Sequence, residues 1–317
     1  MRWVAFLARR IAGAAAVLAI LSGLIFAATE ALPGDAAGVL AGADASAAER
    51  AQLRADLELD RPPLERYGDW IAGAVAGDLG VSLVGRRDVD AVLFDRLPNS
   101  LLLTALALGA AVPAAIALGL AAGLREGRPA DRMVSSAALV LVSLPEFLTV
   151  TLLIAVFGTW LGLLPEVSLT PLGGRPWDTP QAMVLPVLSL AVVGLAVMTR
   201  LVRSSVAEAA ASPYAEAARL AGVRGVRLAL RHILPNALGP VVQVFAVMFG
   251  GLLGGAVVVE TIFNYPGVGF ELQQAVANRD VPMVQGLALA LAALALAVLL
   301  LGDIVGTLVN PRLRSAP

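Results

Sequence analysis

The chain has 317 residues, of which 58% are hydrophobic and 15% are charged, and its net charge at pH 7 is −1. Soluble domains carry about 25% charged residues and disordered chains are poor in apolar ones, so this composition excludes a water-soluble globular protein and a disordered chain. The chain has no cysteine, no lysine and one histidine, which excludes disulfides, a lysine-dependent phosphate-binding loop and a multi-histidine metal centre, and the near-neutral charge excludes a nucleic-acid partner.

The first apolar segment covers about residues 11–28 and follows Arg2, Arg9 and Arg10. Its 18 uncharged residues are enough to cross the hydrocarbon core of a bilayer, so we predict a transmembrane helix within residues 1–29. A cleaved signal peptide is the alternative, but the apolar part of such a peptide is usually only about 7–15 residues long.

Residues 30–98 form a long polar segment with 13 acidic residues and 7 arginines, which is predicted to lie on the outer side of the membrane. Ser46 and Glu49 have the spacing of a capping box, in which each side chain satisfies a free backbone N–H group at the start of a helix. A short amphipathic helix over residues 51–59 is predicted to follow and to end at Arg61-Pro62-Pro63.

A second short helix is predicted over residues 64–75 of the same segment. It carries Tyr67, Trp70 and Ile71 at helical spacing, which places the three side chains on one face. We expect them to pack against the membrane helices as a small lid, and a dedicated ligand site is the alternative.

The remaining chain, residues 99–317, contains five further apolar stretches of membrane-spanning length. They lie at about residues 101–124, 133–157, 182–202, 238–262 and 284–309. Six spans put both termini on one side of the membrane. We predict that this side is the cytoplasm, because that topology gives the short cytoplasmic pieces 14 arginines and the short outer loops only 2. The predicted fold is an all-α polytopic membrane protein surrounded by membrane lipid.

The predicted cytoplasmic loop between the fourth and fifth spans contains the residues of a well-capped helix. Ser212 suits the N-cap position, Pro213 the first helical position, and Gly222 the left-handed residue after the helix end. Glu216 and Arg219 lie where their charges complement the helix dipole. The pattern predicts a rigid helix of about nine residues, ~13 Å long, that is suited to pressing into another protein.

Part of this loop, residues 204–235, resembles the EAA loop of ABC importer permease subunits. The resemblance rests on Glu216-Ala217-Ala218, on Gly222 after three further residues, and on Leu234-Pro235. His232 stands where the general pattern has isoleucine, and with Pro235-Asn236-Ala237 it resembles the dipeptide/oligopeptide/nickel branch. Other stretches resemble that branch in the same order along the chain: Phe6-Leu7-Ala8-Arg9-Arg10, Leu32-Pro33-Gly34-Asp35, Gly77-Asp78-Leu79-Gly80, Arg96-Leu97-Pro98-Asn99-Ser100, Val259-Glu260-Thr261-Ile262-Phe263, Tyr265-Pro266-Gly267-Val268-Gly269 and Arg279-Asp280.

The resemblance implies a non-catalytic subunit of the bacterial plasma membrane that forms half of a pathway for di- and oligopeptides, with nickel or metal chelates as the alternative solutes. It implies a second homologous permease, two subunits or domains that bind ATP and Mg, and an extracytoplasmic solute-binding protein as partners, with no cofactor or metal in this chain. The residues that would couple the chain to the ATPase are Tyr214, Glu216, Ala217, Ala218, Arg219 and Gly222. A stand-alone secondary transporter is the alternative class, but no inverted repeat of the kind found in such transporters is evident.

Glu146 is a charged residue near the middle of the third predicted span. Pro145 precedes it and is expected to kink the helix, since proline removes one backbone hydrogen bond. We predict that Ser143, Pro145 and Glu146 border an aqueous substrate pathway, where the carboxylate would bind a peptide amino terminus or a cation. Ser143, Pro145 and Phe147 also fit a Ser-x-Pro-x-Phe pattern of the family that the chain resembles. A structural hydrogen bond from Glu146 to a neighbouring helix is the alternative.

The fifth predicted span contains a ridge of small residues, the pattern that lets membrane helices approach closely. Its members are Gly250, Gly251, Gly254 and Gly255. We expect this ridge to pack against the partner permease, with packing inside this chain as the alternative. Glu260 and Asp303 lie near span ends, where snorkelling to water or helix pairing would explain them. His232 is expected to be a surface or capping group.

Overall fold

A computed structural model describes residues 2–31, 36–42, 45–171 and 174–309. The stretch Leu32-Pro33-Gly34-Asp35 and the residues Arg312 and Arg314 lie outside the described residues. The α-helices are, in chain order, α1 (Arg2–Ala31), α2 (Ala36–Ala41), α3 (Ala47–Asp56), α4 (Pro63–Ala76), α5 (Val89–Gly123), α6 (Pro129–Ser143), α7 (Glu146–Leu153), α8 (Pro180–Ala210), α9 (Pro213–Leu220), α10 (Gly225–Leu228), α11 (Leu234–Phe263), α12 (Val268–Ala277) and α13 (Val281–Val309). Two π-helical segments, Ile154–Trp160 and Ala229–Ile233, and one 3₁₀ turn, Pro176–Asp178, complete the helical part of these residues.

Four helices in the described residues are long and apolar enough to cross a membrane by themselves: α1, α5, α8 and α13. The number rises to six if each of two bent helix pairs counts as one span. These pairs are α6 with residues 146–160, and the end of α11 with α12. The prediction of an all-α polytopic membrane protein is confirmed, and the orientation of the termini stays a prediction.

The third predicted span is a broken helix, and the expectation of a single kinked helix is wrong. α6 ends at Ser143, Leu144 is extended with φ −79° and ψ 130°, and α7 begins at Glu146. The two halves are bent by 106°. Pro145 explains the break, because its ring disfavours a helical conformation in the residue before it and its nitrogen has no proton to donate. Glu146 therefore begins a new helix.

The described residues divide into two compact units. The first unit contains those within residues 1–100 and 266–296, and the second contains those within residues 101–265 and 297–317. This division by contacts cuts across α5 and α13. The division into residues 1–29, 30–98 and 99–317 was based on composition along the chain, and it stays a prediction.

In the first unit, α5 begins at Val89, well before the predicted start at residue 101. The prediction treated Pro98 as the end of a loop, but the helix continues through it. Val89 and Val92 are buried and pack in a cluster that includes Val268 of α12 and Leu287 of α13. Tertiary packing of this kind usually decides where a helix forms, so the buried turn before Pro98 extends the helix backwards.

The predicted lid is confirmed as α4 packed on α1 within the first unit. The Tyr67 ring lies 5.3 Å from the Phe26 ring in an edge-to-face arrangement, and the Trp70 ring stacks on Phe26 at 6.4 Å between ring centres. The hydroxyl groups of Ser22 and Tyr67 are hydrogen-bonded at 2.9 Å. The aromatic side chains therefore fix α4 to α1.

The capping box is also confirmed, at the start of α3. The Glu49 carboxylate accepts from the Ser46 backbone N–H at 2.7 Å, and the Ser46 hydroxyl accepts from the Glu49 N–H at 3.2 Å. Because this box starts the helix at Ala47, α3 begins and ends a few residues earlier than the predicted span of 51–59.

The second unit is organised around α8, which packs against α6, α7 and α11. Leu185, Met198 and Val202 of α8 are fully buried. The helix runs without a break from Pro180 to Ala210. The segment that begins at Ser212 is therefore joined directly to the end of the most buried membrane helix.

Candidate coupling surface and substrate pathway

The predicted short helix after α8 is present as α9, and its first residues have the expected arrangement. Ser212 precedes the helix with an extended backbone (φ −74°, ψ 152°), and Pro213 is the first helical residue. The Ser212 hydroxyl differs from the expectation, because it donates to the Ala209 carbonyl at 2.5 Å and makes no bond to an N–H group of α9. Ser212 thus ties the start of α9 to the last turn of α8.

The other end of α9 closes with a left-handed glycine, as predicted. Gly222 has φ +85°. Its N–H donates to the Arg219 carbonyl at 3.0 Å, and the Val223 N–H donates to the Ala218 carbonyl at 3.0 Å. This pair of bonds is a Schellman motif, which satisfies the last carbonyl groups of a helix. The last carbonyl groups of α9 are thus satisfied by the two residues that close the motif, Gly222 and Val223.

α9 is fixed to the rest of the second unit by one buried side chain and one long polar one. Ala215 is fully buried in a cluster that includes Val206 of α8 and Ile233 of the π-helical segment before α11. The Arg219 guanidinium donates to the Ala210 carbonyl at 2.9 Å, and so it binds the C-terminal end of α8. Arg219 was predicted to couple to the ATPase, and the contact that its guanidinium makes here lies within the chain.

The opposite face of α9 is exposed and partly apolar. Leu220 is 84% exposed, Val226 just beyond the helix is 73% exposed, and Tyr214 is 41% exposed. Glu216 and Ala217, which were predicted to couple, are exposed as well, whereas Ala218 is half-buried. Exposed arginines follow in the chain: Arg224, Arg227 and Arg231. Leu220 and Val226 were missed by the sequence reasoning, although a large apolar residue next to the EAA stretch could have indicated them.

An ion pair between a buried carboxylate and a half-buried guanidinium at the start of α6 was also missed. Asp131 is only 3% exposed, and the Arg203 guanidinium of α8 binds its carboxylate through two parallel bonds of 2.8 and 2.7 Å. The Gly127 N–H and the Ser135 hydroxyl donate to the same carboxylate at 2.9 and 3.2 Å. In the sequence, Arg203 is visible only as one of the arginines that set the charge bias of the loops. The chain separation of 72 residues explains why no local pattern revealed the pair.

Glu146 lies against α11. It is half-buried, and a Cβ atom built on Gly255 would lie 2.7 Å from Glu146 Oε1 and 2.9 Å from Oε2. No real Cβ tolerates such distances, so the carboxylate occupies the space that the glycine leaves free. The predicted pathway residues Ser143 and Pro145 are both exposed, and the Ser143 hydroxyl donates to the Val140 carbonyl at 2.8 Å.

The glycine ridge of α11 therefore has two parts. Gly255 packs inside the chain against Glu146, as the alternative expectation had it. At the other three positions, Gly250, Gly251 and Gly254, an added Cβ would have no described atom within 4 Å. These three keep the predicted contact with a partner permease as an untested expectation.

Three further polar residues have distinct surroundings. Glu260 is fully buried, so snorkelling to water is wrong for it, and pairing inside the fold is the remaining explanation. Asp303 is half-buried near the end of α13. His232 is half-buried in the π-helical segment, and its carbonyl accepts from the Asn236 side chain at 2.7 Å.

In the first unit, hydrogen bonds bring together motif stretches that are far apart in the chain. The Asn99 side chain donates to the Pro266 carbonyl at 2.7 Å, and the Val268 N–H donates to the Ser100 hydroxyl at 2.9 Å. The Asp280 carboxylate accepts from the Ser82 hydroxyl and, at 3.0 Å, from the Leu83 N–H. The RLPNS stretch is thus bound to the YPGVG stretch, and the RD stretch is bound to the segment that precedes α5.

Comparison with known families gives two adjoining matches. The profile described as "Binding-protein-dependent transport system inner membrane component" matches residues 111–315. The profile for the N-terminal part of such membrane components matches residues 3–104. Together they cover nearly the whole chain, including the exposed helix α9 and the broken pair α6 and α7.

Individual relatives match over their full length. The glutathione transport system permease protein GsiC of Escherichia coli (strain K12) is 36% identical over 309 residues, which are 98% of each chain. A protein of Brucella abortus (strain 2308), whose name assigns it to a peptide transport system as a permease, is 34% identical over 310 residues, which are 98% of this chain and 99% of the relative. Among solved structures, a crystal structure of an amino acid ABC transporter with histidines matches 71% of this chain and 94% of that chain, with 20% identity and a TM-score of 0.49.

Proposed function

The chain belongs to the family of binding-protein-dependent transport system inner membrane components, and from this premise we propose that it forms one half of the solute pathway of an ABC importer for small peptides. It is a multi-pass permease of the bacterial inner membrane. The other half would be a second homologous permease, so that the membrane part of the importer is a heterodimer. An extracytoplasmic binding protein would deliver the solute.

The energy for transport would come from two separate ATP-binding subunits or domains that hold ATP and Mg. The chain has no lysine, and so it has no Walker A phosphate-binding loop with which to hydrolyse ATP itself. The observation that carries this proposal is the exposed apolar face of α9, where Leu220 is 84% exposed on a helix that is otherwise tightly anchored. A large exposed apolar side chain at a rigid site favours a protein partner.

The coupling residues would act in two ways. Tyr214, Glu216, Ala217 and Leu220 would contact the ATPase, because their side chains face away from the second unit. Ala218, Arg219 and Gly222 would hold α9 in its orientation, since they pack, bind the end of α8 and close the helix, respectively. A push of the ATPase on α9 would then reach α8 without loss through a flexible loop.

Glutathione and short peptides are the proposed solutes, in line with what the relatives are named for. Glu146 would lie on the pathway and bind the positively charged amino group of the solute, with Ser143 and Pro145 at the break beside it. The proposal predicts that Glu146→Gln lowers uptake without lowering the amount of assembled complex. Equal uptake would leave Glu146 with only the contact to Gly255.

Affinity capture followed by reconstitution tests the function directly. The captured chain should bring down a second multi-span protein and ATP-binding subunits, identified by mass spectrometry. The complex, placed in proteoliposomes with ATP and the binding protein, should take up labelled glutathione or trialanine. Uptake of a nickel chelate with no uptake of either peptide would point to the metal-importing alternative. Uptake by the chain without ATPase subunits would overturn the proposal.

A further inference from the structure

Arg203, which forms an ion pair with Asp131 of α6, lies near the end of α8. α9 is attached at that end. We propose that Asp131 and Arg203 are positioning residues that make α6 move together with α8 and α9 during the ATP cycle. This inference rests on the proposed function and adds to it the route by which a movement of α9 reaches the broken pair α6 and α7.

The geometry of the pair favours a stable contact between α6 and α8. The Arg203 guanidinium binds both carboxylate oxygens of Asp131, and Gly127 and Ser135 supply two more donors. Two parallel bonds fix the orientation of the side chains as well as their distance. A buried charge that loses its partner is strongly destabilising, so the two helices resist separation at this point.

Beside the ion pair, α5 packs closely on α8, and this contact can be compared with the contact between α6 and α8. A Cβ on Gly119 would lie 2.7 Å from Val202, and one on Gly123 would lie 2.7 Å from the Arg203 carbonyl. The two glycines therefore let α5 press directly on α8. α5 and α8 are held by close packing over this stretch.

α6 packs on α8, but a groove separates part of the two helices beyond the ion pair. This half-open groove of about 180 Å³ is bordered by Met133 and Ala137 of α6, by Leu195 and Thr199 of α8, and by Leu118 of α5. Interiors without voids transmit displacement, whereas a cavity lets one wall move without the other. Next to this groove, the ion pair adds rigidity to the contact that the packing of α6 on α8 provides elsewhere.

The link gives α9 a mechanical connection to Glu146. α9 is fixed to the end of α8 by Arg219 and Ala215. The Asp131–Arg203 pair transfers a displacement of α8 to α6, and α6 leads across the break at Pro145 to α7. The first residue of α7 is Glu146, whose carboxylate lies on Gly255 of α11. A cytoplasmic push would thus change the contact at the proposed pathway residue.

Transport coupling in the assembled importer tests this proposal. Asp131→Asn removes the charge, and Arg203→Lys keeps both charges but removes the two parallel bonds, so that the second variant is informative even if the first assembles poorly. Glu126→Gln is the matched control. The Glu126 carboxylate lies 3.6 Å from the same guanidinium, but its side chain is 61% exposed and it is not part of the buried contact. ATP hydrolysis and uptake of glutathione are measured in the same proteoliposomes. We expect uptake per ATP to fall about tenfold in Asp131→Asn, less in Arg203→Lys, and not in Glu126→Gln.

A distance measurement separates positioning from mere stabilisation. The chain has no cysteine, so spin labels can be placed at Ser136→Cys on α6 and Ser204→Cys on α8, both exposed positions. With the pair intact, the distance distribution should be the same with and without ATP. With Asp131→Asn it should widen and depend on ATP. Unchanged uptake per ATP in both variants, or an unchanged distance distribution, would overturn the inference. A wild-type complex that takes up no peptide would instead contradict the proposed function.

Discussion

Two regions of the second unit differ in which groups they expose: one exposes an apolar side chain, and the other buries a charged one. On α9 the apolar Leu220 is 84% exposed. At the contact of α6 and α8 the charged Asp131 is 3% exposed and all its bonds are made within the chain. The first region has an apolar surface that no described residue of the chain covers, which indicates where a partner binds. In the second region, the hydrogen bonds of the buried carboxylate are made within the chain, which indicates that α6 and α8 move as one body.

This difference predicts two kinds of variant. A substitution on the exposed face of α9 should change coupling and leave the stability of the chain unaltered. A substitution in a buried contact should change the stability of the chain as well as its activity. The following changes test the distinction.

The largest effect is expected for Leu220→Asp. A carboxylate at the centre of an interface loses its hydration without gaining a binding partner. Substitution at such a central position costs about 2 kcal/mol or more of binding free energy. We expect binding-protein-stimulated ATP hydrolysis by the assembled complex to be nearly lost. The thermal stability of the purified chain should change by less than about 0.5 kcal/mol, as is usual for surface positions. Leu220→Met, which keeps an apolar side chain, is the control, and full stimulation in the Asp variant would contradict the proposed surface.

The second effect is expected at a buried contact, in Gly255→Ala. The added methyl group would lie 2.7 Å from Glu146 Oε1, so the Glu146 carboxylate must move away from α11. Because this neighbour is the end of a flexible side chain, we expect a cost at the lower end of the ~1–3 kcal/mol typical of overpacking, and peptide uptake should fall because the carboxylate is displaced. Gly109→Ala in α5 is the control, because a Cβ there also has no described atom within 4 Å and Gly109 lies outside the glycine ridge. Equal thermal stability of the two variants would show that the Glu146 contact does not constrain the helices.

Gly222→Ala should have a smaller effect, which includes both a loss of coupling and a loss of stability. Gly222 has φ +85°, and a Cβ there meets nothing within 4 Å, so the cost is backbone strain alone, about 1–2 kcal/mol. The strain lies in the Schellman motif that orients α9, and stimulated ATP hydrolysis should drop in part. Gly162→Ala provides the comparison, because it has φ +60° and equally free space but lies outside the coupling segment. A drop of the same size in both variants would assign the effect to general strain.

The two regions also differ in how far they could be predicted from the sequence. The ends of α9 depend on neighbouring residues, and so Pro213 and Gly222 revealed them. The direction in which α9 faces depends on contacts with α8, and therefore the burial of Ala215 and the exposure of Leu220 were not foreseen. Pro145 revealed a disturbance in the third span but not its size.

Contacts between distant residues were beyond the reach of sequence patterns. Asp131 and Arg203 are 72 residues apart, and neither lies in a motif. The partner of Glu146 is a glycine, which shows its role only when the space around it is known. The motif stretches of the first unit were recognised one by one, but the bonds of Asn99 and Ser100 to the YPGVG stretch, and of Asp280 to Ser82 and Leu83, required the fold.

The smallest effect is expected in the first unit, where an exposed contact is nevertheless satisfied within the chain. The backbone N–H and the hydroxyl of Ser46 donate to the Glu49 carboxylate, which holds the pKa of Glu49 below its ordinary value. A lowered pKa stabilises the start of α3 above the ordinary pKa of a glutamate, and this contribution is lost as the pH falls through the lowered value. Amide exchange in the first turn of α3, corrected for intrinsic rates, should therefore accelerate toward acid in the wild-type chain. Ser46→Ala should raise the exchange rate at neutral pH, weaken this acid dependence, and leave ATP hydrolysis unchanged. The same pH dependence in both chains would show that the capping box contributes nothing to the helix, and a loss of stimulated hydrolysis would mean that α3 takes part in coupling, contrary to its exposed and self-contained contacts.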